Sequence, residues 1–129
     1  VDGKRLPIYH TNVMMCLAKE FAVVCLDAID DVNEKKNFIK SLKLTGKDVI
    51  EISEKQKHRF AGNMLQVLGR EPYLVMSTSA FLCLNNDQKK MISKHCAILH
   101  SSLDTIESCG GGSARCMMAE IFLPYKNDD

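Results

Sequence analysis

Val13-Met14-Met15-Cys16-Leu17-Ala18-Lys19-Glu20-Phe21-Ala22-Val23-Val24-Cys25-Leu26 consists of two apolar runs parted by one polar pair. Each run has the length and β-branched or apolar content of a strand, and their spacing suits a hairpin. Lys-Glu is, however, not a favoured two-residue turn. Neither run approaches the roughly 20 apolar residues that a membrane-spanning helix needs. Downstream, Asp30-Asp31 offers a helix N-cap, Phe38, Ile39 and Leu42 lie at helical spacing, and Gly46 marks a stop. Lys47 to Ile52 then alternates as a short strand. Strand, strand, helix, strand is a ββαβ order, which places the chain in the α/β class.

The second half is less regular. Ser53-Glu54-Lys55-Gln56 matches a capping box, and Phe60, Ala61, Met64, Leu65 and Leu68 form one apolar stripe closed by Gly69. A helix is therefore predicted over that stretch. Tyr73 to Met76 reads as a strand preceded by Pro72, and Asn86-Asp87 starts a third helix carrying Met91, Ile92 and Cys96. Ala97 to Leu103 and Thr105 to Ser108 read as strand or extended segments. Cys116 to Leu123 reads as a final strand ended by Pro124, and Asn127-Asp128-Asp129 as a frayed tail. Self-similarity is too weak to establish a repeat.

A chain of 129 residues fits one domain, 1–129, and 46% hydrophobic with 26% charged residues is a globular composition. The net charge of +1 gives no general field for nucleic acid or an anionic membrane. The opening Asp2-Gly3-Lys4-Arg5 is not followed by an apolar segment, so no secretory leader is expected. The chain begins with Val, as expected of a processed chain or of part of a longer one. Six cysteines without a C-x-x-C pair, four of them (Cys16, Cys25, Cys83, Cys96) in apolar or helix-like segments, read as reduced thiols in a cytoplasmic protein.

The most distinctive segment is Gly110-Gly111-Gly112-Ser113-Ala114-Arg115-Cys116-Met117. Glycines permit close backbone approach, and a Cys just beyond them at a loop–strand junction is held yet accessible. The Arg115 cation beside it favours a thiolate. The plainer reading is a glycine turn followed by a structural Cys, and composition alone favours it. A phosphate loop is weaker still, since no Gly-Lys-Ser/Thr follows. A nucleophilic Cys needs a proton shuttle, and His10, His58, His95 and His100 are the candidates. His58 sits among Lys57 and Arg59, His95 ends a helix, and His100 lies in a strand-like segment. His10 stands in the polar Tyr9-His10-Thr11-Asn12, just before the first strand. Cys96, His100, Cys109 and Cys116 have no common zinc spacing, and no metal is expected.

Three segments taken in order carry a resemblance: Pro7-Ile8-Tyr9-His10-Thr11-Asn12-Val13-Met14, Phe60-Ala61-Gly62-Asn63-Met64-Leu65, and the glycine-cysteine segment. Together they resemble the amidinotransferase, or guanidino-group-modifying, superfamily (the pentein fold), most closely its arginine-deiminase-related, citrulline-forming branch. The Gly-Gly-Gly-x-x-x-Cys spacing also resembles that of agmatine deiminases. The resemblance runs from Pro7 to Pro124. It implies an α/β-propeller of five ββαβ units, of which this chain is the C-terminal portion.

By the same resemblance Cys116 is the nucleophile and His10 the general acid/base, and Asn63 lies beside the bound guanidine. Asn12 stands where better-known deiminases carry an Asp that grips the guanidinium. Glu107, near the nucleophile in sequence, is the one carboxylate available there. The implied reaction is hydrolysis of a guanidinium C–N bond through a covalent Cys amidino-thioether, with no metal or organic cofactor. The alternative is a guanidino-binding or interaction domain that keeps the fold without turnover. The implied partners are a small guanidino substrate and the missing N-terminal half, or a second copy of the chain.

Overall fold

The computed structural model describes residues 5–123, and the expected strand end at Pro124 and the acidic tail lie outside them. The opening hairpin forms as read. β1 (Met15–Leu17) pairs antiparallel with β2 (Phe21–Val24) in the register Met15↔Val24, Cys16↔Val23, Leu17↔Ala22. Its unfavourable turn is held from outside: Lys47 Nζ donates to the carbonyls of Ala18 and Lys19 at 2.8 and 2.7 Å. All of β2 is buried because it is covered on both faces, which explains its unbroken apolar run. Ala22 and Val24 face α1 (Val32–Leu44), while Phe21 and Val23 face the main core.

Asp31 caps α1, its Oδ1 accepting from the N–H of Asn33 and Glu34 at 2.8 and 2.9 Å. The helix closes with a Schellman pair, Lys47 N–H to Leu42 O and Gly46 N–H to Lys43 O, with Gly46 left-handed at φ 74°. β3 (Asp48–Glu51) then runs parallel to β2 and completes a sheet of order β1-β2-β3.

The second half repeats this topology. β4 (Leu65–Leu68) is antiparallel to β5 (Pro72–Ser77), a helical crossover follows, and β6 (Ala97–Ser101) returns parallel to β5. One core lies between the sheets, with Phe21, Val23 and Ile50 from the first, Leu74 and Met76 from the second, and Met64 from the residue before β4. The units are also joined by a reciprocal amide pair. Gln56 Nε2 donates to Gln88 Oε1 at 2.7 Å, and Gln88 Nε2 to Gln56 Oε1 at 3.1 Å. Each glutamine closes a capping box three residues after its cap, one opened by Ser53 and the other by Asn85. His95 makes a second joint, stacking on Phe21 and placing its two ring nitrogens 3.3 Å from Glu20 and 3.0 Å from Asp48.

Several predicted elements are corrected. The capping box at Ser53 is present, but α2 (Glu54–Lys57) is one turn long, and the stripe over 60–68 is a turn followed by β4. Ala61 N–H bonds Gln56 O and Phe60 N–H bonds Lys57 O, the same Schellman closure as at Gly46, but with Phe60 in the left-handed position at φ 64°. The crossover comprises α3 (Thr78–Cys83), which was not foreseen, and α4 (Asn86–Ser93), which was. Residues 105–108, expected to be extended, belong to α5 (Asp104–Gly110), whose first turn holds the acidic Asp104 and Glu107 that suit a helix N-terminus. The strand expected over Cys116 to Leu123 is instead a 3-10 turn, Ala114–Met117, followed by irregular chain. Arg115 locks that turn, its Nη1 donating to Met118 O at 2.9 Å while Met118 N–H returns to Arg115 O.

Candidate active site

The site is assembled from three separate pieces of chain. His10 is the extended residue before a 3-10 turn, Thr11–Val13, with the Tyr9 ring edge-on at 5.0 Å. Asn63, 3% exposed, lies between α2 and β4, and Cys116 lies in the turn after the glycines. Asn63 joins the other two pieces. Its Nδ2 donates to Asn12 O at 2.9 Å and to Cys116 Sγ at 3.2 Å, and its Oδ1 accepts from the Cys116 N–H at 3.4 Å. The residue before it must be small, because a Cβ on Gly62 would lie 2.7 Å from Val13 O and 2.8 Å from Met14 C. That backbone contact sets Asn63 against the His10 turn.

His10, Asn12, Asn63 and Cys116 line one cavity of about 390 Å³. Asn12 Oδ1 is buried with no hydrogen-bond partner among the described residues, an arrangement that is costly until a donor fills it. His10 and Cys116 share the cavity without a hydrogen bond to each other among the described residues. Glu107 and Arg115 do not line it. Glu107 accepts from the buried Ser113 hydroxyl at 2.6 Å, and Arg115, expected beside the thiol as an activating cation, is turned to Met118 O. His95 and His100 are engaged elsewhere, His100 with Thr78 Oγ1 at 3.0 Å and the Phe81 ring at 4.2 Å. Lys57, His58, Phe60, Val13, Gly111, Gly112 and the segment Leu6–Tyr9 complete the wall. Sequence reading missed Lys57 and Leu6, which no motif marks, and took Phe60 for the start of an apolar helix stripe rather than cavity wall.

The cysteines divide by environment. Burial pushes the Cys16 thiol up to about 12 and raises Cys25, Cys83 and Cys96, so all four favour the neutral form. Cys109 and Cys116 are exposed. The Asn63 amide N–H aimed at the Cys116 sulfur is a contact that suits an anionic acceptor. Among the described residues no three His, Cys, Asp or Glu side chains are grouped as a metal site.

A family model described as N,N dimethylarginine dimethylhydrolase, eukaryotic, matches residues 1–123. The chain belongs to that family. The family is one of the pentein arginine-hydrolase group to which the three motifs pointed, and its description names a methylated arginine, one of the guanidines that the motifs left open. No curated protein matches the chain. A solved structure that does is the apo crystal structure of ArgZ, an arginine dihydrolase from the ornithine-ammonia cycle in cyanobacteria. The TM-score is 0.61 at 19% identity over 84% of this chain. The match covers 15% of the ArgZ chain. At that identity the likeness speaks for the fold, a partial pentein with two of its ββαβ units present here.

Proposed function

We propose that this chain supplies the nucleophile and the general acid/base of a guanidino-group hydrolase. The observation that carries the reading is Asn63 Nδ2 at 3.2 Å from Cys116 Sγ, in a cavity that also holds His10 and the unpartnered Asn12 oxygen. In the proposed reaction the Cys116 thiolate attacks the guanidinium carbon of arginine or a methylated arginine. Protonated His10 donates to the departing ammonia or amine. The S–C bond so formed is an amidino-thioether. Neutral His10 then takes a proton from water, whose oxygen adds to the same carbon, and the thiolate leaves with a ureido product, citrulline from arginine. Splitting the displacement in two is the gain of covalent catalysis, and the positioned proton shuttle adds about 10²–10⁴-fold.

Asn12 Oδ1 accepts a guanidinium N–H as a neutral substitute for a carboxylate. Asn63 positions the sulfur. Glu107, through Ser113, and Arg115, through Met118, hold the loop and turn that present Cys116. No carboxylate lines the cavity among the described residues, so these leave the charge of the guanidinium unneutralised. The remaining carboxylates come from further ββαβ units of the same protein, or, as second choice, from self-association. Six free thiols support a cytoplasmic setting. Among the described residues no helix is long and apolar enough to cross a membrane.

The carboxylate-free lining also favours a second reading, a guanidino-binding domain without turnover. Ureido-product assays on the isolated chain and on the full-length protein separate the two. Product from the full-length protein and none from a verified monomer of this chain is the expected result. Saturable arginine binding by the full-length protein with no product supports the second reading.

A further inference from the structure

The segment Leu6–Tyr9 is a strap with little of its own to hold it. It forms no helix or strand, and no hydrogen bond joins it to another described residue. Leu6 and Tyr9 are 72% and 73% exposed, so burial fixes it weakly. Yet all four of its residues wall the cavity that holds Cys116, and the Tyr9 ring packs edge-on against His10 at 5.0 Å. Beyond His10 the chain is pinned by the close approach of Gly62 to Val13 and Met14.

At the other end the strap is tied by one side chain. Arg5 Nη2 donates to Asp27 O at 2.9 Å, in the turn Leu26–Ala28, and pairs with Asp30. Its Nη1 donates to Glu54 Oε1 at 3.2 Å, at the start of α2. A planar guanidinium suits several acceptors at once, where a lysine offers a single point charge. Arg5, Asp30 and Glu54 line an adjoining cavity and are absent from the wall around Cys116. We infer that Arg5 is a positioning residue: clasped by Asp30, Glu54 and the Asp27 carbonyl, it anchors the strap and so sets His10 relative to the sulfur. This rests on the proposed hydrolase reading and adds a residue that acts on its acid/base from outside the cavity. An exposed ion pair adds little to global stability, but a catalytic group displaced by about 1 Å loses up to about 10²-fold in rate.

The test compares the full-length protein with Arg5→Met and with the pair Asp30→Asn plus Glu54→Gln. Chymotryptic cleavage after Tyr9, mapped by mass, reads the freedom of the strap without need of turnover, and kcat/KM for arginine or a methylated arginine reads the consequence. Expected in both variants are cleavage faster by about tenfold and kcat/KM lower by about tenfold, with the thermal midpoint unchanged. Combining the two sets lowers kcat/KM no further than either alone, as for groups that act as one unit. The gap between parent and variants narrows in about 1 M salt, where screening weakens the clasp in the parent. Faster cleavage with parental kcat/KM, or parental cleavage in both variants, overturns the inference and leaves the hydrolase reading intact. A parent protein that turns over no guanidine overturns both.

Discussion

Asn63 and Cys116, 53 residues apart, are bonded to each other twice: the side-chain amide donates to the sulfur at 3.2 Å, and its oxygen accepts the cysteine N–H at 3.4 Å. The same amide reaches the backbone of Asn12, so one buried side chain fixes both the nucleophile and the turn that follows His10. Asn63→Ala strands the Asn12 carbonyl and removes the amide contact to the Cys116 sulfur, while the Cys116 N–H keeps its bond to Ser113 O at 3.1 Å. A loss of about 1–3 kcal/mol in denaturant stability is expected, with a fall in kcat of the full-length protein larger than the change in KM. Wild-type kcat in a folded Asn63→Ala would contradict the positioning role.

Gly62→Ala places a methyl 2.7 Å from Val13 O, a contact with backbone that no rotamer can relieve. The two segments must part, at a cost of about 1–3 kcal/mol by the scale of overpacking. Because the parted segments carry Asn63 and the His10 turn, thiol reactivity at Cys116 should change in step with stability. A thermal midpoint equal to that of the parent would show that the close approach is dispensable.

Thiol labelling sorts the cysteines by environment. Brief alkylation near neutral pH followed by peptide mapping should label Cys116 first and exposed Cys109 next. Cys25, Cys83, Cys96 and above all Cys16 should follow only on unfolding, since burial holds them protonated. Early labelling of Cys16 or Cys83 would contradict the packing described.

Cys16 also makes stability depend on alkaline pH. Burial raises its thiol from 9.0 to about 12, so the folded state keeps a proton that the unfolded chain releases. This contribution is complete below about pH 9 and is lost as pH rises toward 12, by at most about 1.4 kcal/mol per pH unit for one thiol. Urea midpoints at pH 8 and pH 10.5 should fall less steeply in Cys16→Ala than in the parent. Equal slopes would remove Cys16 from the effect.

The first ββαβ unit was legible because its signals are local and chemically ordinary: Asp31 caps, Gly46 stops, and β2 announces two-sided burial by an unbroken apolar run. The second unit was not, because Phe60 performs the left-handed stop that Gly46 performs in the first. Without a glycine there, the apolar residues from 60 to 68 mimic a continuing helix. Only the ladder with β5 turns 65–68 into a strand. α5 was hidden for a related reason: its cap residue, Leu103, bonds nothing through its side chain. In the site, the order of the three motifs sufficed to nominate His10, Asn12, Asn63 and Cys116, which line one cavity. Sequence neighbourhood misplaced Arg115 and Glu107, because adjacency along a tight turn does not fix the direction of a side chain.

The central claim is that Cys116 forms a covalent amidino intermediate whose formation and breakdown depend on His10. The most direct measurement is acid-quenched turnover of the full-length protein with arginine or a methylated arginine, followed by mass analysis of the peptide containing Cys116. The amidino mass is expected on that cysteine alone, with no ureido product from Cys116→Ser. Removing His10 should cost about as much activity as removing both residues. Undiminished ureido product from Cys116→Ser, or an adduct on a different cysteine, would contradict it.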